Sequence, residues 1–294
     1  MSKVSSFFKR RSKYIVVIFF IAYLFTGLAV FDDYGIGWDE ANSRDRGRVA
    51  WGYVINGDEE LLTHVEVYHG AVFEMLLFAF EKIFKLYKRD IQIVYLMRHL
   101  VNFLICYVGV VFFYLLCKKR FDNWRMGVLG SLFLIVSPRM FAHSFYNSKD
   151  LIFLSVFIIS MWTLWEFLDN KNHLNAFFHA LSCSVLIDVR VPGVVVVLIT
   201  VIFYVLDMFL SRHKNTSLGI LFMSFFLYII MLILLTILFW PTLWSAPFQQ
   251  FINAVNRMRL FPSHHLSSPL EKVPHICIFH KILHDNKEQE LYLP

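Results

Sequence analysis

Charged residues are scarce in this 294-residue chain, in which Asp, Glu, Lys and Arg together account for only 17%. Soluble domains carry about 25% charged residues and roughly 45–50% apolar ones. Here apolar residues reach 57%, and phenylalanine alone contributes 32 positions. A soluble fold of this length has no place for so much apolar surface. The composition therefore excludes a soluble enzyme and a disordered protein, and it predicts a polytopic membrane protein.

Cysteine is also rare, with four residues spread along the chain, three of them inside apolar runs. Disulfide frameworks and zinc sites need cysteines at characteristic spacings. The scattered positions therefore exclude a secreted disulfide scaffold and a zinc knuckle. The chain also lacks a visible internal repeat or low-complexity tract.

Seven apolar stretches are candidates to cross a bilayer, which takes about 20 residues per helix. The first follows a basic N-terminus, residues 1–13, and is longer than the apolar part of a cleavable signal peptide, so we interpret it as a signal anchor. The expected fold class is an all-α, polytopic transmembrane helix bundle with about seven spans, within a membrane domain over residues 14–262. The expected spans are 14–31, 91–117, 126–143, 151–168, 174–187, 191–210 and 218–244.

The basic residues predict the orientation. With the N-terminus inside and seven crossings, all four inner segments are basic and together hold twelve Lys and Arg residues, as the positive-inside rule requires. The C-terminus then lies outside, together with a polar loop, residues 32–90, that holds twelve of the 22 carboxylates. The expected location is the plasma membrane, which is the inner membrane in a bacterium, or the endoplasmic reticulum in a eukaryote.

The polar loop is expected to carry short interfacial helices. One is predicted over residues 44–56, with Val49 among its membrane-facing residues. A second is predicted over residues 69–87, which are mostly apolar but hold four charges. Because each charge costs around 2.5–3.5 kcal/mol near the bilayer centre, we expect this helix to lie in the interface plane.

The final segment, residues 263–294, is polar and contains five of the twelve histidines. Their spacing is not that of a compact metal-ligand set, so we expect a solvated tail and no metal site. A truncated or frame-shifted reading frame would also end in such a segment, and both origins of the tail stay open.

Ionisable residues gather at the expected outer ends of the spans, where they are costly and mark a site or pathway. Carboxylates and cations together at a lipid–water boundary suit sugar transfer from a lipid-linked phosphate. The leaving phosphate is already a stable anion and needs only cations to hold it, whereas the acceptor hydroxyl needs a carboxylate base. In this interpretation Asp39 is the base and Glu40 orients the acceptor or neighbouring groups. The cations expected to hold the donor phosphate are Arg98, Arg139, Lys149 and Arg190.

Six short motifs carry a resemblance to a known family. They are GWDE at 37–40, RHLVN at 98–102, SPR at 137–139, YNSKD at 146–150, RVPG at 190–193 and PTLW at 241–244. In this order they resemble the C-type glycosyltransferases, which include protein O-mannosyltransferases and the aminoarabinose transferases of lipid A. The resemblance implies that Asp39 is the catalytic carboxylate and that the sugar carbon is inverted. Relatives often have an arginine two residues after the Asp-Glu pair, where this chain has Asn42.

The expected partners are a polyprenyl-phosphate-linked sugar, an acceptor lipid, protein or glycan, and membrane lipids, with no nucleic acid. The sequence indicates no definite cofactor, and a requirement for a divalent cation stays open. Two other functions also stay open. A transporter or flippase favours polar residues near mid-membrane and inverted repeats, and an inactive truncated remnant of a transferase would keep the scaffold without activity.

Overall fold

The computed structural model of the protein describes residues 2–64, 66–86, 90–210 and 218–259, and these ranges contain helices and no strand. The all-α prediction is therefore confirmed for the described part of the chain. The predicted tail, 263–294, and the predicted inner basic segment at 212–214 lie outside the described residues. The α-helices are α1 Ser2–Val30, α2 Glu40–Asn56, α3 Glu60–Thr63, α4 Val72–Ile83, α5 Ile91–Phe121, α6 Trp124–Val136, α7 Pro138–Tyr146, α8 Asp150–Asp169, α9 His173–Val189, α10 Val194–Leu210, α11 Leu218–Phe239 and α12 Pro247–Arg259.

Among the described residues, five helices are long and apolar enough to cross a membrane, judged by length and composition. They are α1, α5, α8, α10 and α11. The pair α6 and α7 meets the same criteria when taken together, although the two helices are bent by 72°. Helix α9 is apolar but has only 17 residues, fewer than the usual crossing of about 20. These helices support the prediction of a membrane protein.

The bend between α6 and α7 follows from Pro138. A residue that precedes proline is pushed out of the helical region, and Ser137 is accordingly extended, with φ −64° and ψ 110°. Pro138 then occupies the first turn of α7, where its missing N–H leaves no hydrogen bond unmade. The span predicted over residues 126–143 is therefore two helices.

Several helix ends meet at one end of the bundle, which we call the cluster end. The Val72 amide at the start of α4 donates a hydrogen bond of 2.9 Å to the Asp188 carboxylate near the end of α9. Glu74 of α4 contacts Arg98 near the start of α5 and accepts a 2.6 Å hydrogen bond from the Ser148 hydroxyl just before α8. The start of α5, the start of α8 and the end of α9 therefore lie together.

The other ends of these helices meet at the opposite end of the bundle. Lys119, near the end of α5, lies 2.8 Å from Glu166 and 2.7 Å from Asp169, both near the end of α8. Lys171, just before α9, pairs with Asp207 near the end of α10. Helices α5, α8 and α10 therefore run away from the cluster end, and α9 returns to it.

Helix α2 packs against its neighbours in the polar loop. Val49 is 2% exposed and forms a small core with Ala50, Leu61 and Ala71. The prediction that Val49 faces the membrane is therefore wrong, because the apolar side of α2 covers other parts of the same loop. The helix predicted over residues 69–87 is α4, which ends earlier, at Ile83, and residues 87–89 lie outside the described part.

The contact between Gly70 and Asp188 offers a test of how tightly the polar loop docks on the bundle. A methyl group added at Gly70 would overlap the carbonyl oxygen and the carboxylate of Asp188. We expect Gly70→Ala to lower the free energy of unfolding by about 1–3 kcal/mol, the usual cost of overpacking. Gly35→Ala is the control, because no described heavy atom lies within 4 Å of the added carbon. Equal thermal unfolding midpoints for the two variants would contradict this docking.

Candidate functional site

A cavity of about 180 Å³ lies at the cluster end and brings three distant segments together. The first segment contains residues 37–43, at the start of α2, and the second contains residues 143–150, from α7 to the start of α8. The third is Arg190, directly after α9. The volume is smaller than the roughly 300–1,000 Å³ of pockets for drug-sized ligands, so the cavity suits a headgroup and not a whole lipid. Its lining includes Trp38, Asp39, Ser43, His143, Lys149 and Arg190.

Asp39 is the carboxylate of this cavity that is free to act on a ligand. It is exposed, immediately precedes α2, and its side chain makes no capping hydrogen bond to that helix. Its side chain also has no ion pair with any residue in the described ranges. An unpaired carboxylate at a cavity wall can accept a proton from a bound hydroxyl group.

Glu40, the neighbour of Asp39, holds the turn in place. Its side chain is 3% exposed, and its two carboxylate oxygens lie 3.0 Å and 3.2 Å from His99 Nε2 of α5. The Gly37 amide donates a further hydrogen bond to it. These contacts fasten residues 37–40 to the bundle, so Glu40 contacts neighbouring groups and does not line the cavity.

Lys149 lines the cavity and is paired with a carboxylate from the polar loop. Its Nζ donates a 2.9 Å hydrogen bond to Glu66, which also accepts a 3.1 Å hydrogen bond from Arg46. Burial by itself raises the pKa of Glu66, but the charges of Arg46 and Lys149 outweigh it and hold the pKa below its usual range. Glu66 is therefore ionised at neutral pH.

Arg190, the second cation of the cavity, is also paired. It lies 2.6 Å from Asp150, the first residue of α8. The two side chains are 39% and 55% exposed, and ion pairs in such surroundings contribute little to stability. Arg190 can therefore exchange this partner for another anion at small cost.

Arg98, which was predicted to bind the donor phosphate, does not line the cavity. Its side chain is 1% exposed and contacts Glu74 and, at 3.3 Å, Glu81, both on α4. Glu81 is also held by Arg44 at 2.9 Å, and Glu74 by the Ser148 hydroxyl. The guanidinium is therefore occupied in joining α4 to α5, and it does not line the cavity.

Arg139, the remaining predicted cation, is exposed at the start of α7 and does not line the cavity either. Eight of the lining residues were not among the predicted site residues, and Ser43, His143 and Ser148 are three of them. Ser43 follows Asp39 by one helical turn, a spacing that places both side chains on one face. That spacing is the signal in the sequence by which Ser43 could have been found.

The loop before α8 is held in position by aromatic stacking. The Phe145 ring stacks between Tyr34, at a centroid distance of 4.6 Å, and Phe103 of α5, at 5.0 Å. Asn102 of α5 also donates a 2.8 Å hydrogen bond to the Phe145 carbonyl oxygen. Lys149, four residues after Phe145, is therefore presented from a fixed backbone.

The lowered pKa of His69, in the loop before α4, leads to a prediction of how the stability of the protein depends on pH. Burial and the charge of Arg46, with those of Lys149 and Arg190, lower the pKa of His69 from 6.5 to about 4, although Glu66 opposes this. Between these values the unfolded chain binds a proton that the folded chain does not, so stability falls as pH drops from 6.5 to 4. We expect the unfolding free energy of His69→Gln to fall less steeply over this range. Identical slopes would contradict the shift.

The described residues contain no group of three or more His, Cys, Asp or Glu side chains arranged to hold a metal ion. The cavity lining instead combines one free carboxylate, Asp39, with two cations, Lys149 and Arg190, each of which is paired with another carboxylate. Such a set can bind an anionic group and remove a proton beside it.

Comparison of the chain with protein-family models, with curated proteins and with solved structures gives no match. The resemblance to C-type glycosyltransferases thus stays a prediction from the sequence motifs. What the structure adds to it is the position of the predicted site residues relative to the cavity.

Proposed function

We propose that this chain is a membrane glycosyltransferase that moves a sugar from a polyprenyl-phosphate donor to an acceptor hydroxyl at the outer face. The observation that carries the proposal is the cavity at the cluster end, where Asp39, Lys149 and Arg190 converge from three distant segments. A lipid-linked donor suits this position because the cavity lies at one end of an apolar bundle. The acceptor is a lipid, a protein or a glycan.

The proposed reaction is a single displacement at the anomeric carbon. The acceptor oxygen forms a bond to that carbon while the bond from the carbon to the phosphate oxygen breaks, and the phosphate leaves with the electron pair. Asp39 takes the proton of the acceptor hydroxyl, and attack opposite the leaving group inverts the carbon. Lys149 and Arg190 stabilise the negative charge that develops on the phosphate.

In this proposal the other predicted site residues have supporting roles. Glu40 fixes the turn that carries Asp39 through its contact with His99. Arg98 holds α4 on α5 through Glu74 and Glu81 and does not bind phosphate. The proposal leaves Arg139 out of the site because it does not line the cavity.

We further propose seven crossings with the N-terminus inside and the cluster end outside. Support comes from the alternation of the helix ends described above and from two further contacts. Tyr34, just after α1, stacks on Phe145 at the cluster end. Thr242, just after α11, donates a 3.1 Å hydrogen bond to the Val67 carbonyl oxygen of the polar loop. With α9 and the bent pair each counted as one crossing, the alternation is complete. The proposed location is the plasma membrane, or the endoplasmic reticulum in a eukaryote.

The proposal is tested with membranes that contain the intact chain and a radiolabelled polyprenyl-phosphate sugar. We expect label to pass to an acceptor that is no longer extracted with the donor. Arg190→Met should raise the KM for the donor about 10- to 100-fold, because one charge-assisted contact to phosphate contributes roughly 1.5–3 kcal/mol. Arg48→Met is the control, since Arg48 pairs with Glu60 and Asp45 on the polar loop and does not line the cavity. Equal KM values for the two variants would remove Arg190 from the donor site.

A transporter or flippase is the second candidate, and a polar cluster inside the bundle favours it. His179 of α9 lies 2.9 Å from the Thr163 hydroxyl of α8 and 2.8 Å from the Thr200 hydroxyl of α10. Its ring stacks on Tyr228 of α11 with centroids 5.1 Å apart. In a proteoliposome assay with a fluorescent lipid, translocation that His179→Phe abolishes and Asp39→Asn leaves intact would favour this function over glycosyl transfer.

A further inference from the structure

The pairing of Lys149 with Glu66 raises the question of how a phosphate reaches a cation that already has a partner. We propose that Glu66 is a built-in counter-anion, which neutralises Lys149 in the empty cavity and is displaced from it by the phosphate ester of the ligand. This inference rests on the proposed function and adds a regulatory residue to the donor site.

The geometry separates the two partners with respect to the cavity. Lys149 lines the cavity, whereas Glu66 does not, and the two side chains are 15% and 20% exposed. The Lys149 ammonium group is a compact charge on a flexible stem with three donors. It can therefore turn from Glu66 toward a ligand in the cavity without movement of its backbone.

Displacement is cheap because Glu66 keeps a partner when Lys149 leaves. Arg46 donates a 3.1 Å hydrogen bond to the second carboxylate oxygen of Glu66, and the Arg46 side chain is 5% exposed. A buried carboxylate that loses its only cation is strongly unfavourable, and Arg46 prevents that outcome here. The exchange therefore replaces one anion at Lys149 by another and leaves no charge unpaired.

A second polar group, the Ser43 hydroxyl, lies at the wall of the cavity. The Ser43 side chain lies in the lining, the residue is 1% exposed, and its hydroxyl has no hydrogen-bond partner among the described residues. A buried hydroxyl without a partner is unfavourable until a ligand supplies one. The Arg190–Asp150 pair repeats the arrangement of a cavity cation held by a carboxylate. The recognised chemistry is a phosphate group, carried by a lipid or free in solution.

The test measures binding of farnesyl phosphate and of inorganic phosphate to the full-length chain, purified in detergent. We expect Glu66→Gln to bind farnesyl phosphate about two- to fivefold more tightly, since ion pairs that are partly exposed contribute little. Lys149→Met should weaken binding, and Glu66→Gln in the Lys149→Met background should then bring no gain. Glu60→Gln is the matched control, because Glu60 is an exposed carboxylate of the same loop paired with Arg48.

The outcomes separate this inference from the proposed function. Tighter binding of both ligands by Glu66→Gln supports the exchange. Tighter binding of farnesyl phosphate alone also supports it and assigns the site to a lipid headgroup. Binding that Lys149→Met weakens but Glu66→Gln leaves unchanged or weakens would overturn the inference and keep the donor site. If neither the wild type nor any variant binds farnesyl phosphate, the proposed function fails. Should Glu66→Gln not elute as a monodisperse protein, Glu66→Asp replaces it, with a smaller gain expected and the same contradicting result.

Discussion

Asp39→Asn is expected to reduce sugar transfer by about 10²–10⁴-fold, the usual contribution of a general base. The asparagine keeps the size of the side chain but cannot take a proton from the acceptor hydroxyl. Because the Asp39 carboxylate is exposed and makes no capping hydrogen bond, protein yield and thermal unfolding should match those of the wild type. Initial rates with a radiolabelled polyprenyl-phosphate sugar measure the effect.

The control for this variant is Asp33→Asn, which changes another exposed acid of the same segment. It should leave the rate of transfer within about twofold of the wild type, since surface substitutions away from a site have small effects. Equal rates for Asp39→Asn and the wild type would remove Asp39 from the mechanism. Equal losses in both variants would show a general effect of charge in the loop and no base at position 39.

Arg98→Met is expected to have the largest effect on stability. Arg98 lies between Glu74 and Glu81, and the side chains of all three residues are at most 1% exposed. Removing one partner of a buried ion pair costs about 3–5 kcal/mol, because the remaining charge is left without full compensation. Thermal unfolding of the purified protein and the yield of folded protein in the membrane both report this loss.

Arg139→Met is the matched control, because Arg139 is an exposed arginine outside the cavity. It should unfold at the wild-type temperature. A second variant, Arg98→Met with Glu74→Gln, should recover part of the lost stability, since one of the two glutamates then carries no charge. An Arg98→Met protein that folds like the wild type but binds the donor poorly would return Arg98 to the phosphate site and contradict the structural role.

The helical bundle could be predicted because long apolar runs separated by charged turns leave few other structures in a membrane. The same alternation places Asp39, Lys149 and Arg190 at one end of the bundle, where the structure brings them onto one cavity. The broken span at Ser137 and Pro138 also follows from local rules, since proline acts on the residue before it. These features are predictable because each depends either on a single segment of the sequence or on the alternating direction of successive membrane crossings.

The position of Arg98 could not be predicted in that way, because it depends on which side of α4 faces α5. A signal was present, since Glu74 and Glu81 are seven residues apart and therefore lie on one face of a helix. An arginine near the end of a span is equally compatible with a snorkelling side chain or a phosphate ligand. Only the packing of the polar loop on the bundle decides among these roles.

The prediction that Val49 faces the membrane was wrong for the same reason, since its surroundings depend on how the polar loop packs. Its apolar side chain was expected to face lipid, but its neighbours in the fold are Leu61 and Ala71 of the same loop. Sequence periodicity gives the face of a helix and does not tell whether lipid or protein covers it. The pairing of Glu66 with Lys149 could not be predicted from the sequence either, because it joins residues 83 positions apart.

Photo-crosslinking with a polyprenyl phosphate that carries a photoreactive group near its phosphate tests the central claim most directly. The claim is that the cavity at the cluster end holds the headgroup of a lipid-linked sugar, with its phosphate at Lys149 and Arg190 and with Asp39 on the acceptor side. After irradiation of membranes containing the full chain, mass spectrometry should find adducts on residues 37–43 and 143–150, and an excess of unlabelled polyprenyl phosphate should suppress them. Adducts confined to the helices around His179, or adducts that the unlabelled lipid does not suppress, would contradict the account.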